Sequence, residues 1–175
     1  YAIAYVEKTD ENGITHLEKH LMRYPQFFAT KAIESKLNQG VKNGIIWHTQ
    51  GSGKTALSYY NVRYLTDYFQ KRGTIAKFYF VVDRLDLLTQ AANEFRARGL
   101  EVEEINSKED FIKNIQTTGT SSNTGKATIT VVNIQRFAED KEKVKLPEYA
   151  TNLQRIFILD EAHRGYRPGG CFLAN

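Results

Sequence analysis

Short apolar runs rich in β-branched and aromatic residues alternate along this chain with stretches whose apolar residues return every three or four positions. That alternation predicts an α/β lobe, a mostly parallel sheet with helices on both faces. Ile45, Ile46 and Trp47 read as the first buried strand, running straight into a glycine-rich turn. Beyond the turn, Leu57, Tyr60, Tyr64 and Tyr68, widened by Leu65 and Phe69, predict a helix of about four turns that ends before Gly73. The continuous apolar run 78–82 fits a strand buried on both faces, and Leu85, Leu88, Ala92 and Phe95 form the stripe of a helix stopping at Gly99. Residues 102–105 make a weaker strand, after which Ser107 and Asp110 resemble a capping box opening a helix through Phe111 and Ile115. Runs 128–132 and 156–159 bring the strands to five. At the front, residues 2–6 suit a strand, Asn12-Gly13 suits a turn, and the residues that follow look helical. Residues 117–125 are polar and turn-forming, and predict a mobile connection.

With 41% hydrophobic and 25% charged residues, the 175-residue chain can bury a core, which excludes disorder over most of its length. No apolar run approaches the roughly 18 residues needed to cross a bilayer, so no membrane partner is expected. A net charge of +4, with the excess in the first 100 residues, tolerates nucleic acid without demonstrating it. The lone Cys171 has no base partner, is expected to be inert and fits a reducing compartment, and no secretory signal is visible, so a cytoplasmic location is expected. The start at Tyr1 rather than Met suggests a portion of something longer. The expected division is a linker-like segment over 1–20 and one lobe over 21–175, incomplete at its C-terminal end.

The segment His48-Thr49-Gln50-Gly51-Ser52-Gly53-Lys54-Thr55 carries the clearest chemistry. Glycines at 51 and 53 let the backbone turn tightly and aim successive N–H groups inward, and the helix that follows adds the positive end of its dipole. Such a loop wraps a polyphosphate, with Lys54 reaching the β- and γ-phosphates and the Thr55 hydroxyl ligating Mg²⁺. G-x-G-K-T has a chance on the order of 10⁻⁵ per window at average residue frequencies, which makes coincidence a poor explanation. His48 stands where the general pattern has its first glycine. Asp160, at the end of the 156–159 run, is placed to share a sheet rim with that loop and hold the hydrated Mg²⁺. Glu161 beside it is placed to polarise a water for attack on the γ-phosphate.

Together the two motifs resemble the first RecA-like motor lobe of a superfamily 2 helicase or translocase, whose loop tolerates substitution at the position of His48. Ile46-Trp47-His48-Thr49-Gln50, Val82-Asp83-Arg84-Leu85-Asp86, Asn133-Ile134-Gln135-Arg136-Phe137 and residues 160–164 narrow this further. Over about residues 20–175 the combination is similar to the motor-bearing R subunit of type I restriction-modification enzymes. The resemblance implies an ATP-driven translocase of double-stranded DNA that works with methylase and specificity subunits.

It also implies roles by position. Arg23, Gln26, Gln50, Gly51, Ser52, Gly53, Lys54 and Thr55 would bind ATP, with Gln26 pairing with the adenine edge. Lys54, Asp160 and Glu161 would be catalytic, and Thr55 and Asp160 would hold Mg²⁺. His163 would couple the phosphate state to a second lobe, while Arg84, Gln135 and Arg136 would lie towards DNA and touch backbone rather than bases. The second RecA-like lobe and a nuclease domain would belong to the parent chain. An arginine finger from that second lobe is worth roughly 10³ to 10⁵ in rate, so these residues alone should hardly hydrolyse ATP.

Other features read as surface. Glu34-Ser35-Lys36 has an E-x-K spacing but no nuclease context, His16 and His20 lack a third ligand, and Lys141, Lys143 and Lys145 alternate with Glu142 and an intervening valine. Two rival readings stand beside the translocase: another superfamily 2 DNA or RNA helicase, which strand displacement would reveal, and a non-catalytic nucleotide-binding scaffold lobe. Glu161 argues against the scaffold.

Overall fold

The computed structural model describes residues 1–116, 127–133 and 152–161. In chain order its elements are β1 (Ile3–Thr9), β2 (Thr15–Leu21), α1 (Tyr24–Asn38), α2 (Lys54–Gln70), β3 (Ile75–Val82), α3 (Leu85–Ala97), β4 (Glu101–Ile105), α4 (Lys108–Gln116), β5 (Thr128–Asn133) and β6 (Leu153–Leu159). β3 is apolar almost throughout because it lies inside the sheet, whose order is β4-β5-β3-β6. All three pairings are parallel, with Phe80 opposite Val131 on one side and Ile158 on the other.

Alternation along the strands splits the core in two. Phe78, Phe80 and Val82 of β3 join Ile129 and Val131 of β5 against Tyr60, Val62 and Leu65 of α2 and Leu88, Ala92 and Phe95 of α3. Ile33 and Leu37 of α1 pack against the same cluster. Tyr79, Ile105 and Val132 point to the other face, where Ile115 and Phe111 of α4 cover them. α3 stops as expected. Gly99 sits at φ +83, its N–H reaches the Arg96 carbonyl at 2.8 Å, and the Leu100 N–H reaches that of Phe95 at 3.1 Å. α4 starts as expected too, the Asp110 N–H donating to Ser107 Oγ at 3.1 Å.

Two sequence expectations fail. The residues after Asn12-Gly13 are a strand, β2, paired with β1 in antiparallel register from Ile3↔Leu21 to Thr9↔Thr15. Ile14, Leu17 and Leu21 have helical spacing, yet Leu17 and Leu21 are 64% and 63% exposed, so that spacing marks no buried stripe. The turn decides instead: Asp10 Oδ1 accepts from the N–H groups of Asn12 and Ile14 at 2.9 and 2.8 Å and closes the hairpin. The hairpin is not a free linker, since Ala4 lies in the core cluster and Arg63 donates to the Ile3 carbonyl at 3.2 Å.

The second failure is the strand at 45–47. Residues 41–49 have no regular structure, and Ile45 and Trp47 are 91% and 88% exposed. Three apolar residues between Gly44 and the glycine loop offer too few ladder bonds to offset the entropy of ordering them. The expected mobile connection at 117–125 lies outside the described residues, as do Cys171 and the 141–145 lysines.

β3 also buries a cation. Lys77 is 8% exposed and donates to the Asn114 carbonyl at 2.5 Å, while Arg155, its register partner on β6, donates to the Ile115 carbonyl at 2.6 Å. Two strand cations thus cap the last turn of α4. Burial pushes the Lys77 ammonium below the usual lysine range, and the charge of Glu103 only partly opposes it. Between that lowered value and the ordinary one, the unfolded chain keeps the proton that the native state has shed. Stability therefore rises with pH across that window. Lys77→Met should flatten the rise, measured as denaturation midpoints from pH 8 to pH 10; parallel profiles for the two proteins would refute it.

Candidate functional site

The carboxyl ends of parallel strands form one rim, and the chemistry-bearing residues gather there. β6 continues one residue past its last ladder pair, the Asp160 N–H donating to the Val81 carbonyl at 3.0 Å. Asp83 leaves the end of the neighbouring β3. Glu161 then turns through φ +47, the one described non-glycine residue with positive φ, and its N–H donates to Asp160 Oδ1 at 3.1 Å. A non-glycine residue held in that region costs about 1–3 kcal/mol, and such residues cluster at active sites and ligand clamps.

Across from this pair, Gly53 at φ +80 caps the N-terminus of α2, whose first two residues are Lys54 and Thr55. Lys54 Nζ lies 3.1 Å from Glu161 Oε1, a contact between residues 107 apart in sequence. Both side chains are partly exposed, so the pair itself adds little stability. Its value is geometric, because it fixes the glycine loop and the acidic rim face to face. Burial first, then the charges of Glu161 and Asp83, push the Asp160 carboxyl above the usual range, against the pull of the Glu161 N–H and of Lys54.

Gly51 turns at φ +74, and the Ser52 N–H reaches back to the Thr49 carbonyl at 3.3 Å. Gln50 lies at the turn that opens the loop and is exposed. Three buried polar atoms around this loop and rim, His48 Nδ1, Ser52 Oγ and Asp83 Oδ1, have no hydrogen-bond partner among the described residues. Buried polar atoms normally find one, so the rim presents unspent hydrogen-bonding capacity. Asp83 is a rim residue to which the sequence reading gave no role at the phosphate site. Its place at the carboxyl end of a buried parallel strand was the signal for putting it beside Asp160.

Two of the implied site residues have hydrogen-bond partners within the chain. Gln26 is 3% exposed; its Oε1 accepts the Arg23 N–H at 2.9 Å and its Nε2 donates to the carbonyls of Gly53 at 3.0 Å and Ser52 at 3.3 Å. Arg23 itself is exposed at the start of α1. Arg84 is bound in bidentate fashion to Asp86, at 3.1 and 2.8 Å, on an exposed surface. His163, Gln135 and Arg136 lie outside the described residues.

The donors suit a hard divalent cation. Among the described residues no group of three or more His, Cys, Asp or Glu could cage a metal by itself. His16 and His20 flank Glu18 on β2 at 3.7 and 3.1 Å and form an exposed charged cluster. The rim offers a carboxylate with one unspent neighbour, Asp83 Oδ1, and a hydroxyl at the helix start. Magnesium is bound by few protein oxygens of this kind, with substrate oxygens and water completing its shell.

The loop also makes a local prediction. A Cβ on Gly53 would sit 2.6 Å from Gln26 Nε2, whereas one on Gly51 would meet nothing within 4 Å. Both glycines have left-handed backbones, so alanine at either costs about 1–2 kcal/mol. Gly53→Ala should cost more than Gly51→Ala by the displacement of the Gln26 amide. Equal unfolding midpoints for the two variants would show that the Gln26 contact carries no energy.

An α/β lobe with a parallel sheet, a glycine loop opening a helix and an acidic rim opposite it is a RecA-like ATPase lobe. Residues 25–169 match the SWI2/SNF2 ATPase family, and the chain belongs to that family. Its relatives include type I restriction enzyme endonuclease subunits. The putative MjaVIIP endonuclease subunit of Methanocaldococcus jannaschii is 33% identical over 157 residues, covering 82% of this chain and 14% of that protein. An endonuclease subunit of Staphylococcus aureus (strain COL) is 31% identical over 147 residues, with 82% and 14% covered. The C-terminal part of a putative type I restriction enzyme endonuclease, MpnIIP of Mycoplasma pneumoniae, is 29% identical over 156 residues, with 82% and 72% covered. The chain thus spans about one seventh of the length of the first two relatives. No helix among the described residues is long and apolar enough to cross a membrane.

Proposed function

We propose that this chain is the ATP-binding motor lobe of a translocase that moves along double-stranded DNA within a type I restriction enzyme. The observation that supports it most is the 3.1 Å contact of Lys54 with Glu161, the two side chains this chemistry needs on opposite sides of one phosphate. ATP is the substrate. The N–H groups of the loop from Gly51 to Lys54 surround its phosphates, and Lys54 Nζ leaves Glu161 for β- and γ-phosphate oxygens. Glu161, freed of its cation, takes a proton from a water whose oxygen bonds to the γ-phosphorus as the bond to the β–γ bridging oxygen breaks. Thr55 and Asp160 would hold magnesium, which when bound neutralises charge on the phosphate oxygens.

The restriction context comes from the relatives' names and brings methylase and specificity subunits, a second RecA-like lobe with its arginine finger, and a nuclease domain as partners. On this reading His163 reports the phosphate state to the second lobe, and Arg84, Gln135 and Arg136 meet the DNA backbone, Arg84 by exchanging Asp86 for a phosphate. The test is ATP hydrolysis by the intact protein with linear duplex or single-stranded DNA. Stimulation by duplex without strand displacement is expected. Hydrolysis indifferent to duplex overturns the translocase, and displacement of a strand makes the protein a helicase.

A further inference from the structure

We propose that the outer face of the β1–β2 hairpin docks a further domain of the same polypeptide, the one joined to it through Tyr1. The inference goes beyond the nucleotide-binding reading above and does not depend on it.

Residues directly opposite in an antiparallel pair lie on the same face. Ala4, Val6 and Lys8 therefore share one face with His20, Glu18 and His16, and Ile3, Tyr5 and Glu7 share the other with Leu21, Lys19 and Leu17. The first face lies against the lobe, where Ala4 and Val6 are buried. A sheet with one face packed and one in water normally turns its polar residues outward. β2 does the reverse. Its polar residues Glu18 and His20 take the lobe side, 3.1 Å apart, with Lys8 at 2.7 Å from the same carboxylate. Its leucines point away. With Ile3 and Tyr5 they make an outer face whose four large apolar side chains are 41–64% exposed. A slip of one residue would flip every side chain, but the bonds of Asp10 in the turn fix the register, so the outward leucines are specified by the fold.

The hairpin is mounted firmly enough to serve as a platform. Arg63 of α2 donates to the Ile3 carbonyl at 3.2 Å, the Met22 N–H donates to the Ala2 carbonyl at 2.8 Å, and the Tyr1 ring meets Tyr64 edge-on with centroids 5.3 Å apart. A two-stranded hairpin is marginal in water, and β2 has β1 as its one strand neighbour among the described residues. A layer over the outer face supplies burial that the lobe does not.

Size and tether select the occupant. A stable contact between free proteins takes roughly 20–30 residues a side, whereas this face offers six positions, two of them charged. That is too little for a second copy. It suits domains of one polypeptide, whose contacts are more polar and whose tether holds them at an effective concentration of order mM. Ile3 stands two residues beyond Tyr1, so a domain joined there begins within about 7 Å of the face. The relatives have the length for one: the matched stretch is 14% of the MjaVIIP subunit and 14% of the S. aureus subunit.

Photo-crosslinking of the intact protein tests both the face and its occupant. With Leu17 or Leu21 replaced by p-benzoylphenylalanine, irradiation should give an adduct within one polypeptide that maps to residues ahead of Tyr1, in a yield unchanged by dilution. An adduct to a second copy, to another subunit or to residues beyond 175 overturns the proposal, and so does the lack of an adduct at both positions. Should the substituted proteins fail to fold, hydroxyl-radical footprinting of the wild type decides. Leu17 and Leu21 should then be oxidised as slowly as the buried Leu65 and Leu88, at every protein concentration. Oxidation at the rate their exposure in the lobe allows, or protection lost on dilution, overturns the docking. The pair of substitutions Leu17→Asp and Leu21→Asp should also speed proteolysis of the junction ahead of Tyr1 at least about 10-fold, since both leucines give up their burial. An unchanged rate counts against the proposal.

Discussion

Glu161→Gln in the intact protein should lower kcat for ATP hydrolysis by about 10² to 10⁴, the usual contribution of a positioned base, while nucleotide affinity holds or improves. The substitution keeps the size of the side chain and an oxygen able to accept from Lys54 Nζ, 3.1 Å away. It removes the capacity to take a proton and weakens the hold on Lys54, so the phosphates compete with a neutral amide instead of a carboxylate. A loss confined to kcat marks an interaction made only in the transition state. Backbone strain does not confuse the comparison, because glutamine and glutamate share the same cost at φ +47. Equal turnover by the variant and the wild type would take Glu161 out of the base role and leave the contact with Lys54 as a mere ion pair.

The meeting of Lys54 and Glu161 was legible in the sequence for a topological reason. A buried run ending in Leu159-Asp160-Glu161 and a glycine loop opening a helix belong to the same rim whenever the sheet is parallel, and the alternation of runs and stripes announced such a sheet. β3 was legible because residues 78–82 are a continuous apolar run bounded by polar residues, and α3 because its thirteen residues repeat one helical stripe. β2 was not. Its apolar residues have helical spacing, and the strand is set by the turn at Asp10 and by pairing with β1, both invisible to periodicity. The strand expected at 45–47 failed for the converse reason, since apolar composition does not supply a ladder partner. At the site, the residue types at 26 and 83 could be read but their partners could not. A carboxamide buried against two carbonyls and an aspartate oxygen with no partner among the described residues are products of three-dimensional placement.

Lys54→Ala is the second large effect, and its size should separate chemistry from folding. Loss of one charged contact to the transferring phosphate is expected to cut kcat/KM at least about 10²-fold, in the range seen when one transition-state donor is removed. The same substitution breaks only a partly exposed ion pair, worth about 0.2–1 kcal/mol, so the fold should survive and unfolding should shift little at neutral pH. What stability is lost has a sign in pH. Asp160 already lies above its usual range because of burial and the charges of Glu161 and Asp83, and Lys54 is one of the groups pulling it down. Removing Lys54 raises it further, so the native state binds that proton more readily than the unfolded chain does. The charged carboxyl is therefore a penalty at neutral pH that is relieved as pH falls through the raised native value. The melting-temperature gap between wild type and Lys54→Ala should narrow as pH falls from neutral towards the ordinary carboxylate range. A gap that widens on acidification would mean that the three carboxylates do not share the field of Lys54, and full hydrolytic activity in the variant would remove the lysine from the phosphate.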